Sequence, residues 1–157
     1  MGQLVLDKTD LKILQVLQEN GRLSNVELSE RVALSPSPCL RRLKQLEENG
    51  IIRRYAAMLS PVALQLGLQV FIRVSADKSI EARESFARAV QSWPQVLGCF
   101  ALTGEADYLL HAYFTNMDAL SHFVLDVLLS HDFVRDAKSS FVLKEIKNTS
   151  ALPLNHL

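Results

Sequence analysis

The sequence predicts an α+β protein with two parts, a three-helix N-terminal unit followed by a βαββαβ unit. Two observations predict this division. Residues 7–50 contain apolar positions at helical spacing, interrupted by residues that start and stop helices. After Gly67 the chain changes to branched and aromatic runs typical of strands, and two further helical stretches lie between them.

The stretch Ser24–Tyr55 carries the clearest helix signals. Ser24 and Glu27 have the spacing of a capping box, in which each side chain satisfies a backbone amide at the start of a helix. Ser35-Pro36 is a second start, an N-cap followed by proline at the first helical position. Gly50 can adopt the left-handed backbone conformation that commonly ends a helix. The pattern predicts two short helices joined by a tight turn.

A first helix is predicted before this pair, from Asp7 to Glu19, with leucines at helical spacing and Asn20-Gly21 as its stop. Three helices are the minimum for a small DNA-binding headpiece. A strand-like stretch, Ile51–Met58, follows them and could form a wing or exit strand.

The helix Ser35–Asn49 has two different faces when it is drawn as a helical wheel. A helix of about 15 residues is roughly 22 Å long, which suits a DNA major groove. An ordinary amphipathic helix with solvated cations fits the same pattern, so both interpretations stay open here. The apolar face contains Pro36, Cys39, Leu40, Leu43 and Leu46, and the polar face contains Ser37, Pro38, Arg41, Lys44 and Gln45, with Arg42 at its edge.

Charge is balanced over the whole chain but not within it. The chain has 17 basic and 17 acidic residues. Residues 1–66 carry nine basic and seven acidic side chains, net +2, and residues 67–157 carry eight and ten, net −2. Three or four phosphate contacts would give a salt slope of only about −3 to −4. One copy should therefore bind DNA weakly, and we expect an oligomer.

The residue pattern of the second part predicts four strands and two helices in the order βαββαβ. In this arrangement an antiparallel sheet carries both helices on one face. The other face stays open, and a second copy is the natural way to cover it. The strands are Leu68–Ser75, Gln95–Thr103, Asp107–Phe114 and Asp136–Lys147, and the helices are Ser79–Trp93 and Met117–Leu129.

Several classes of protein are disfavoured by the sequence. With 48 % hydrophobic and 22 % charged residues, the composition is that of a soluble globular protein, without a signal peptide or membrane span. Cys39 and Cys99 lack metal-binding spacing, and a buried, reduced thiol is the simplest interpretation of Cys39. The four histidines have no ligand spacing, and no nucleophile has a base near it in sequence. We expect no metal, no cofactor, no enzymatic activity and an intracellular protein.

The headpiece motif LSPSPCLRR followed by LExxGxI, and the motif LTGEADYLL in the second part, resemble the Lrp/AsnC (leucine-responsive, feast/famine) transcription regulators. The resemblance runs from Leu6 to about Asn148. It implies a winged helix-turn-helix DNA-binding domain (1–55), a linker (56–67) and a βαββαβ ferredoxin-like, RAM-type effector and oligomerisation domain (68–157). It also implies a cytoplasmic, nucleoid-associated homodimer that assembles further to a tetramer of dimers, an octamer.

The resemblance identifies Ser35–Asn49 as the recognition helix that reads double-stranded DNA. Small side chains and an arginine near its N-terminus can reach base edges, whereas long cations on its flank position it on phosphates. Ser35 is expected as a helix cap, and the helix amides beside it can hold a phosphate. Solvent exposure alone is an equal alternative for Arg53 and Arg54. The expected base readers are Ser37, Pro38 and Arg41, and the expected backbone contacts are Arg42, Lys44, Arg53 and Arg54.

The stretch Thr103–Tyr108 is the second candidate site. A glycine turn can present backbone N–H groups to a carboxylate, and a nearby acid can pair with an ammonium group. From the residues alone, a hairpin turn with exposed acids is the favoured interpretation. The resemblance implies that a free amino acid binds here, between dimers, with Met117 beside the turn. The implied site contains Thr103, Gly104, Glu105, Asp107, Met117, Leu129, Ser140, Phe141 and Val142.

Two departures from the family pattern bear on the effector. Glu105 replaces the more usual aspartate, and Phe141 replaces a common tyrosine, which removes a hydroxyl. The flexible apolar lining by Met117 and Leu129 suggests leucine or methionine, although a place in the core is the favoured interpretation of each residue taken alone. The main alternative is an architectural DNA-bending protein without an effector. An enzyme built on the βαββαβ unit is disfavoured by the absence of catalytic groups.

Overall fold

The computed structural model describes residues 5–157 and contains two compact units. The first comprises the chain up to Met58 together with Lys147–Leu157, and the second is Leu59–Ile146. The boundary predicted at the C-terminus therefore differs from the observed one, because residues after Ile146 belong with the N-terminal unit. Residues 1–4 of the predicted first domain lie outside the described residues.

The three predicted helices are present in the described part of the first unit: α1 (Lys8–Glu19), α2 (Asn25–Arg31) and α3 (Pro36–Glu48). The capping box is confirmed, since Ser24 Oγ accepts from the Glu27 amide at 3.3 Å and Glu27 Oε2 accepts from the Ser24 amide at 2.7 Å. The helix starts that the sequence predicted thus come from local chemistry.

The ends of α3 differ in how they are capped. Ser35 occupies the N-cap position, but its side chain makes no capping hydrogen bond. At the other end Gly50 has a φ of 71°, which confirms the predicted left-handed C-terminus. The start of α3 therefore depends on Pro36 at the first helical position more than on the serine hydroxyl.

The three helices close over one hydrophobic cluster. Ile13, Cys39 and Leu46 are fully buried in it. Burial raises the pKa of the Cys39 thiol, so this side chain acts as a small apolar group. The apolar face of α3 is narrower than the helical wheel predicted, since Leu40 is 41 % exposed.

Arg42 joins α3 to the start of α1. Its Nη1 atom donates to Asp7 Oδ2 at 2.7 Å and to Asp10 Oδ1 at 2.8 Å. Asp10 is buried, so this ion pair satisfies a carboxylate that has little access to water. The pKa of Asp7 is lowered by the amide of Asp10 and then by Arg42. A carboxylate whose pKa is lower in the folded than in the unfolded chain stabilises the fold when the pH is above the unfolded pKa, which is about 4. This stabilisation is lost as the pH falls below that value and through the folded pKa.

The strand predicted at Ile51–Met58 is not formed in the described chain. Tyr55 instead returns to the helices, where its hydroxyl donates to Glu47 Oε1 at 2.9 Å. Its ring lies beside Gly21, where a Cβ atom would be 3.4 Å away. Burial and the Glu47 carboxylate raise the pKa of Tyr55 to about 12. A lone extended segment has no partner strand for its backbone, so local propensity did not suffice.

The second unit confirms the βαββαβ order. Its antiparallel sheet has the strand order β2-β3-β1-β4 in the described residues. The last strand begins two residues earlier and ends six residues earlier than predicted. The elements are β1 (Leu68–Ala76), α4 (Ile80–Gln91), β2 (Val96–Ala101), β3 (Tyr108–Phe114), α5 (Met117–His122), a π-helical segment (Phe123–Leu128) and β4 (Val134–Phe141).

Both helices cover one face of this sheet, as predicted. Alternate β1 residues, such as Ile72, are fully buried against Phe86 of α4 and Phe123 of the π-helical segment. The residues between them, such as Phe71, point to the opposite face. In the described residues of this unit the opposite face carries no helix, and we call it the open face.

We expect the Arg42→Ala variant to lower the stability of the first unit by about 1–2 kcal/mol, because the buried Asp10 carboxylate would lose its cationic partner. Thermal unfolding followed by circular dichroism measures this change. Arg41→Ala is the matched control, since Arg41 is exposed one position away on the same helix. Equal effects of the two variants would show that the ion pair contributes nothing.

Candidate DNA-reading helix and effector turn

The N-terminal half of α3 presents most of the predicted base-reading side chains to solvent. Ser37 and Arg41 are exposed, and Pro38 is half-buried. Lys44 is exposed one turn further on. Within the described residues neither Arg41 nor Lys44 forms an ion pair with the protein. Both cations are therefore available to an anionic partner.

Other predicted DNA contacts have different surroundings. Arg53 and Arg54 are exposed, after the end of α3. Arg42 was expected to contact phosphate, but its guanidinium group is engaged by Asp7 and Asp10. Removing it from these carboxylates would leave Asp10 without its partner. In the described chain Arg42 therefore stabilises the headpiece, and its contact with phosphate stays a prediction.

The turn between α2 and α3 holds the reading helix in place. The side-chain amide of Asn25 donates to the Pro36 carbonyl at 2.9 Å. The Leu34 amide donates to the Ser29 carbonyl at 2.9 Å. Ala33 has a φ of 55°, an unusual value for a residue other than glycine. These contacts fix the angle at which α3 leaves α2.

The turn of the second candidate site, residues 102–107, joins β2 to β3, and we call it the effector turn. Asp107 anchors it to β1. The Asp107 amide donates to the Val74 carbonyl at 3.0 Å, and its Oδ2 atom accepts from the Ala76 amide at 2.9 Å. Gly104 has a φ of 111° and open space around it. Thr103, Gly104 and Glu105 are exposed. The turn therefore rests on a rigid base while its tip is accessible.

A cleft of about 230 Å³ lies beside this turn. Its lining combines two carboxylates with two cations, so it could hold the two charged ends of an α-amino acid. Lys78 lies in the β1–α4 connection and Arg83 lies in the first turns of α4. The sequence reasoning missed both, because neither carries a local motif. The lining residues are Asp77, Lys78, Arg83, Ala101, Leu102, Asp107 and Tyr108.

The apolar part of the implied effector site is not assembled within one chain. The turn lies at the end of the sheet where Val74 pairs with Tyr108. Phe141 pairs with Val70, which lies four residues from Val74 along β1. Strand β3 ends six residues after Tyr108, and Met117 follows that end. At about 3.3 Å per residue, this separates Met117 from the turn by roughly 20 Å. Within one chain Met117 therefore lies far from the turn, and its place in a site between dimers stays a prediction.

The remaining predicted effector residues lie at the edges of this arrangement. Phe141 is 45 % exposed and Leu129 is 37 % exposed, so neither belongs to the closed core. Val142 is half-buried, and its amide donates to the Gln69 carbonyl at 3.1 Å. Ser140 is exposed on β4 and pairs with Phe71, which places it on the open face.

The open face carries an aromatic cluster. The Phe71 ring stacks on His111 with centroids 4.7 Å apart, and Tyr113 lies 5.2 Å from His111. Gln69 Nε2 lies 2.7 Å from His111 Nε2. Burial lowers the pKa of His111, and the nearby negative charge of Glu145 opposes this shift. Burial within this cluster therefore favours the neutral form of the His111 imidazole.

Metal and membrane sites are not found in the part of the chain that the structure describes. No cluster of three or more histidine, cysteine, aspartate or glutamate side chains there could hold a metal ion. No described helix is both long and apolar enough to span a bilayer.

Comparison with known proteins decides the family. Residues 69–152 match the Lrp/AsnC ligand binding domain, and residues 6–53 match a winged helix-turn-helix DNA-binding domain. The chain belongs to the Lrp/AsnC family. Helix α3 and the candidate effector turn lie in segments that match the winged helix-turn-helix domain and the ligand binding domain. The chain is a DNA-binding regulator of this type, and the expectation that it is not an enzyme is confirmed by its regulatory relatives.

Similar proteins of the Lrp/AsnC family are known along nearly the full length of the chain. The leucine-responsive regulatory protein of Escherichia coli is 38 % identical over 148 residues, which cover 94 % of this chain and 90 % of that protein. A transcriptional regulator of Neisseria meningitidis, solved as a complex with L-methionine, is 74 % identical. Its TM-score is 0.95, with 97 % of this chain and 99 % of that chain covered.

A further solved relative is an AsnC family transcriptional regulator from Agrobacterium tumefaciens. It is 35 % identical with a TM-score of 0.90 and covers 97 % of this chain and 99 % of its own. The predicted fold class, a helix-turn-helix unit followed by a RAM-type domain, is confirmed by these matches.

We expect Gly104→Ala to destabilise the second unit by about 1 kcal/mol or more, because alanine is strained at a φ of 111°. Gly67→Ala is the control, since Gly67 also has open space around it but no positive φ. Urea unfolding of both variants measures the difference. A similar cost at the two positions would contradict the assigned strain.

Proposed function

We propose that this Lrp/AsnC regulator senses free methionine and changes its DNA binding in response. The supporting observation is the 74 % identity to a regulator that was solved with L-methionine. Leucine is the second candidate, because a 38 % identical relative is named leucine-responsive. The higher identity favours methionine. The protein would act in the cytoplasm, at the nucleoid.

For DNA, we propose that the N-terminal half of α3 enters the major groove. Ser37, Pro38 and Arg41 would contact base edges, where arginine can donate two hydrogen bonds to guanine. Lys44 would contact phosphate from the flank of the helix, and the exposed Arg53 and Arg54 would do so after its end. The amides beside Ser35 would hold a further phosphate at the N-terminus of the helix. The exposure of these cations supports the assignment.

For the effector, we propose that the cleft beside Asp107 binds the charged end of the amino acid. Glu105 and Asp107 would face the ammonium group, and the carboxylate would meet Lys78 or Arg83 or the amides of the turn. Both signs of charge lie within the cleft or next to it, which supports this polarity. The exposed Thr103 and Gly104 at the tip of the turn would close over the ligand.

The apolar side chain of the effector requires a second copy of the chain. Met117, Leu129 and Phe141 are partly exposed, but Met117 and Phe141 lie toward the opposite end of the sheet from the turn. Another protomer could bring these residues, together with Ser140 and Val142, to the cleft.

We propose that the open face forms the dimer and that dimers associate further, as a tetramer of dimers, with the effector between them. The aromatic cluster supports this pairing, together with Phe100, which is 55 % exposed on the open face. Two headpieces would also compensate for the few phosphate contacts that one headpiece can make.

We expect Arg41→Ala and Lys44→Ala to affect DNA binding in different ways. Loss of a base contact at Arg41 should reduce discrimination between operator and unrelated DNA by about 1–3 kcal/mol. Loss of a phosphate contact at Lys44 should weaken all DNAs alike and reduce the salt slope by about 1. Fluorescence anisotropy at several salt concentrations separates these effects. Unchanged operator binding by both variants would exclude α3 as the reader.

We expect L-methionine to raise the melting temperature of the full chain more than any other amino acid. At 100 times its Kd a ligand stabilises the folded state by about 2.7 kcal/mol. Scanning calorimetry with each of the twenty amino acids measures this, with D-methionine as the control for stereospecific binding. The absence of any shift, and of any change in operator binding, would leave the architectural DNA-bending alternative.

A further inference from the structure

The C-terminal segment Lys147–Leu157 is bound to α1 of the headpiece. The side-chain amide of Gln18 makes two hydrogen bonds to the backbone of Leu152. Its Nε2 atom donates to the carbonyl at 3.2 Å, and its Oε1 atom accepts from the amide at 2.5 Å. Leu154 then packs against the headpiece cluster, as Leu17 of α1 also does. These contacts hold the segment on the headpiece.

This segment begins a short distance after the end of β4. Val142 is still bonded to the sheet through the Gln69 carbonyl, and Lys147 already belongs to the headpiece unit. Five residues of fully extended chain span at most about 17 Å. The second unit is therefore connected to the headpiece twice, once before Leu59 and once after Ile146. The second connection leaves directly from the strand that carries Phe141.

A continuous set of contacts leads from this segment to the reading helix. Gln18 lies near the C-terminal end of α1, and Asp7 and Asp10 lie at its N-terminal end. These two carboxylates hold Arg42 of α3. A helix is a stiff element, so a displacement of its bound end is transmitted along its length.

We propose that Lys147–Leu157 is a strap that couples the effector state of the βαββαβ unit to the position of the reading helix. The inference rests on the proposed function, in which Phe141 and Val142 at the end of β4 contribute to the effector site. An effector that moves the end of β4 changes the placement of the strap, and the strap acts on α1. By linkage, DNA affinity changes only if the effector binds the two strap arrangements unequally.

The decisive variant slackens the strap without removing its contacts. A short run of glycines inserted between Ile146 and Lys147 leaves Gln18, Leu152 and Leu154 in place. Three quantities are measured for this variant and for the unmodified chain: operator affinity without ligand, methionine binding by calorimetry, and the ratio of operator affinities with and without methionine. That ratio is the coupling factor, which is typically about 5 to 150.

We expect the insertion to leave unliganded operator binding and methionine binding unchanged, and to bring the coupling factor close to one. An unchanged coupling factor would overturn the strap and leave the proposed function intact. A coupling factor of one in the unmodified chain would overturn the methionine response itself, and the strap with it. The two failures are therefore distinguishable.

Substitutions in the strap and in the part of α1 that binds it provide an independent test. Leu154→Ala should lower the coupling factor, whereas Leu152→Ala should not, since the Leu152 side chain is 71 % exposed and its bonds come from the backbone. Gln18→Ala should act like Leu154→Ala, with the exposed Gln15→Ala as its control. A purely structural segment would lower the melting temperature in these variants but leave the coupling factor unchanged. If Leu154→Ala unfolds the headpiece, the glycine insertion still decides.

Discussion

The ion pairs of Arg42 with Asp7 and Asp10 are the contacts on which the geometry of the headpiece depends. They join the recognition helix to the start of α1, and they also satisfy the buried Asp10 carboxylate. The hydrophobic cluster supplies apolar burial but has no preferred direction, whereas an arginine shared between two carboxylates fixes a position. The same arginine would be a poor phosphate ligand, since DNA would have to compete with both acids. In the proposed function, base reading and helix positioning are thus divided between neighbouring residues of α3.

In the second unit the corresponding constraint is the alternation of side chains along β1 and β3. One set of side chains is closed off by α4 and α5, so the other set must be covered by something else or remain in water. The pairing register also places the effector turn at one end of the sheet and Met117 toward the other. A sheet cannot bring its two ends together within one chain. The proposed oligomer therefore covers the open face and can complete the effector site.

Much of this architecture was predictable, because its signals are local. The capping box at Ser24, the glycine at the end of α3 and the branched residues of β1 each specify an element within a few positions. Arg42 was not predictable in the same way, since its partners lie more than 30 residues away. Residues 51–58 have strand propensity but no partner in the described chain. Lys78 and Arg83 share a cleft with Asp107 only in the folded chain, and no spacing rule indicates that.

The docked C-terminal segment also affects the order in which the protein can be completed. Leu154 belongs to the headpiece cluster, yet it follows the whole βαββαβ unit in the chain. During synthesis the three helices emerge first, and the surface that receives Leu154 stays uncovered until the second unit has been made. The last contacts of the DNA-binding unit therefore form after the effector unit has been synthesised. A truncated chain would carry α3 on a headpiece that lacks these contacts. Only chains that have both units would therefore have a complete headpiece.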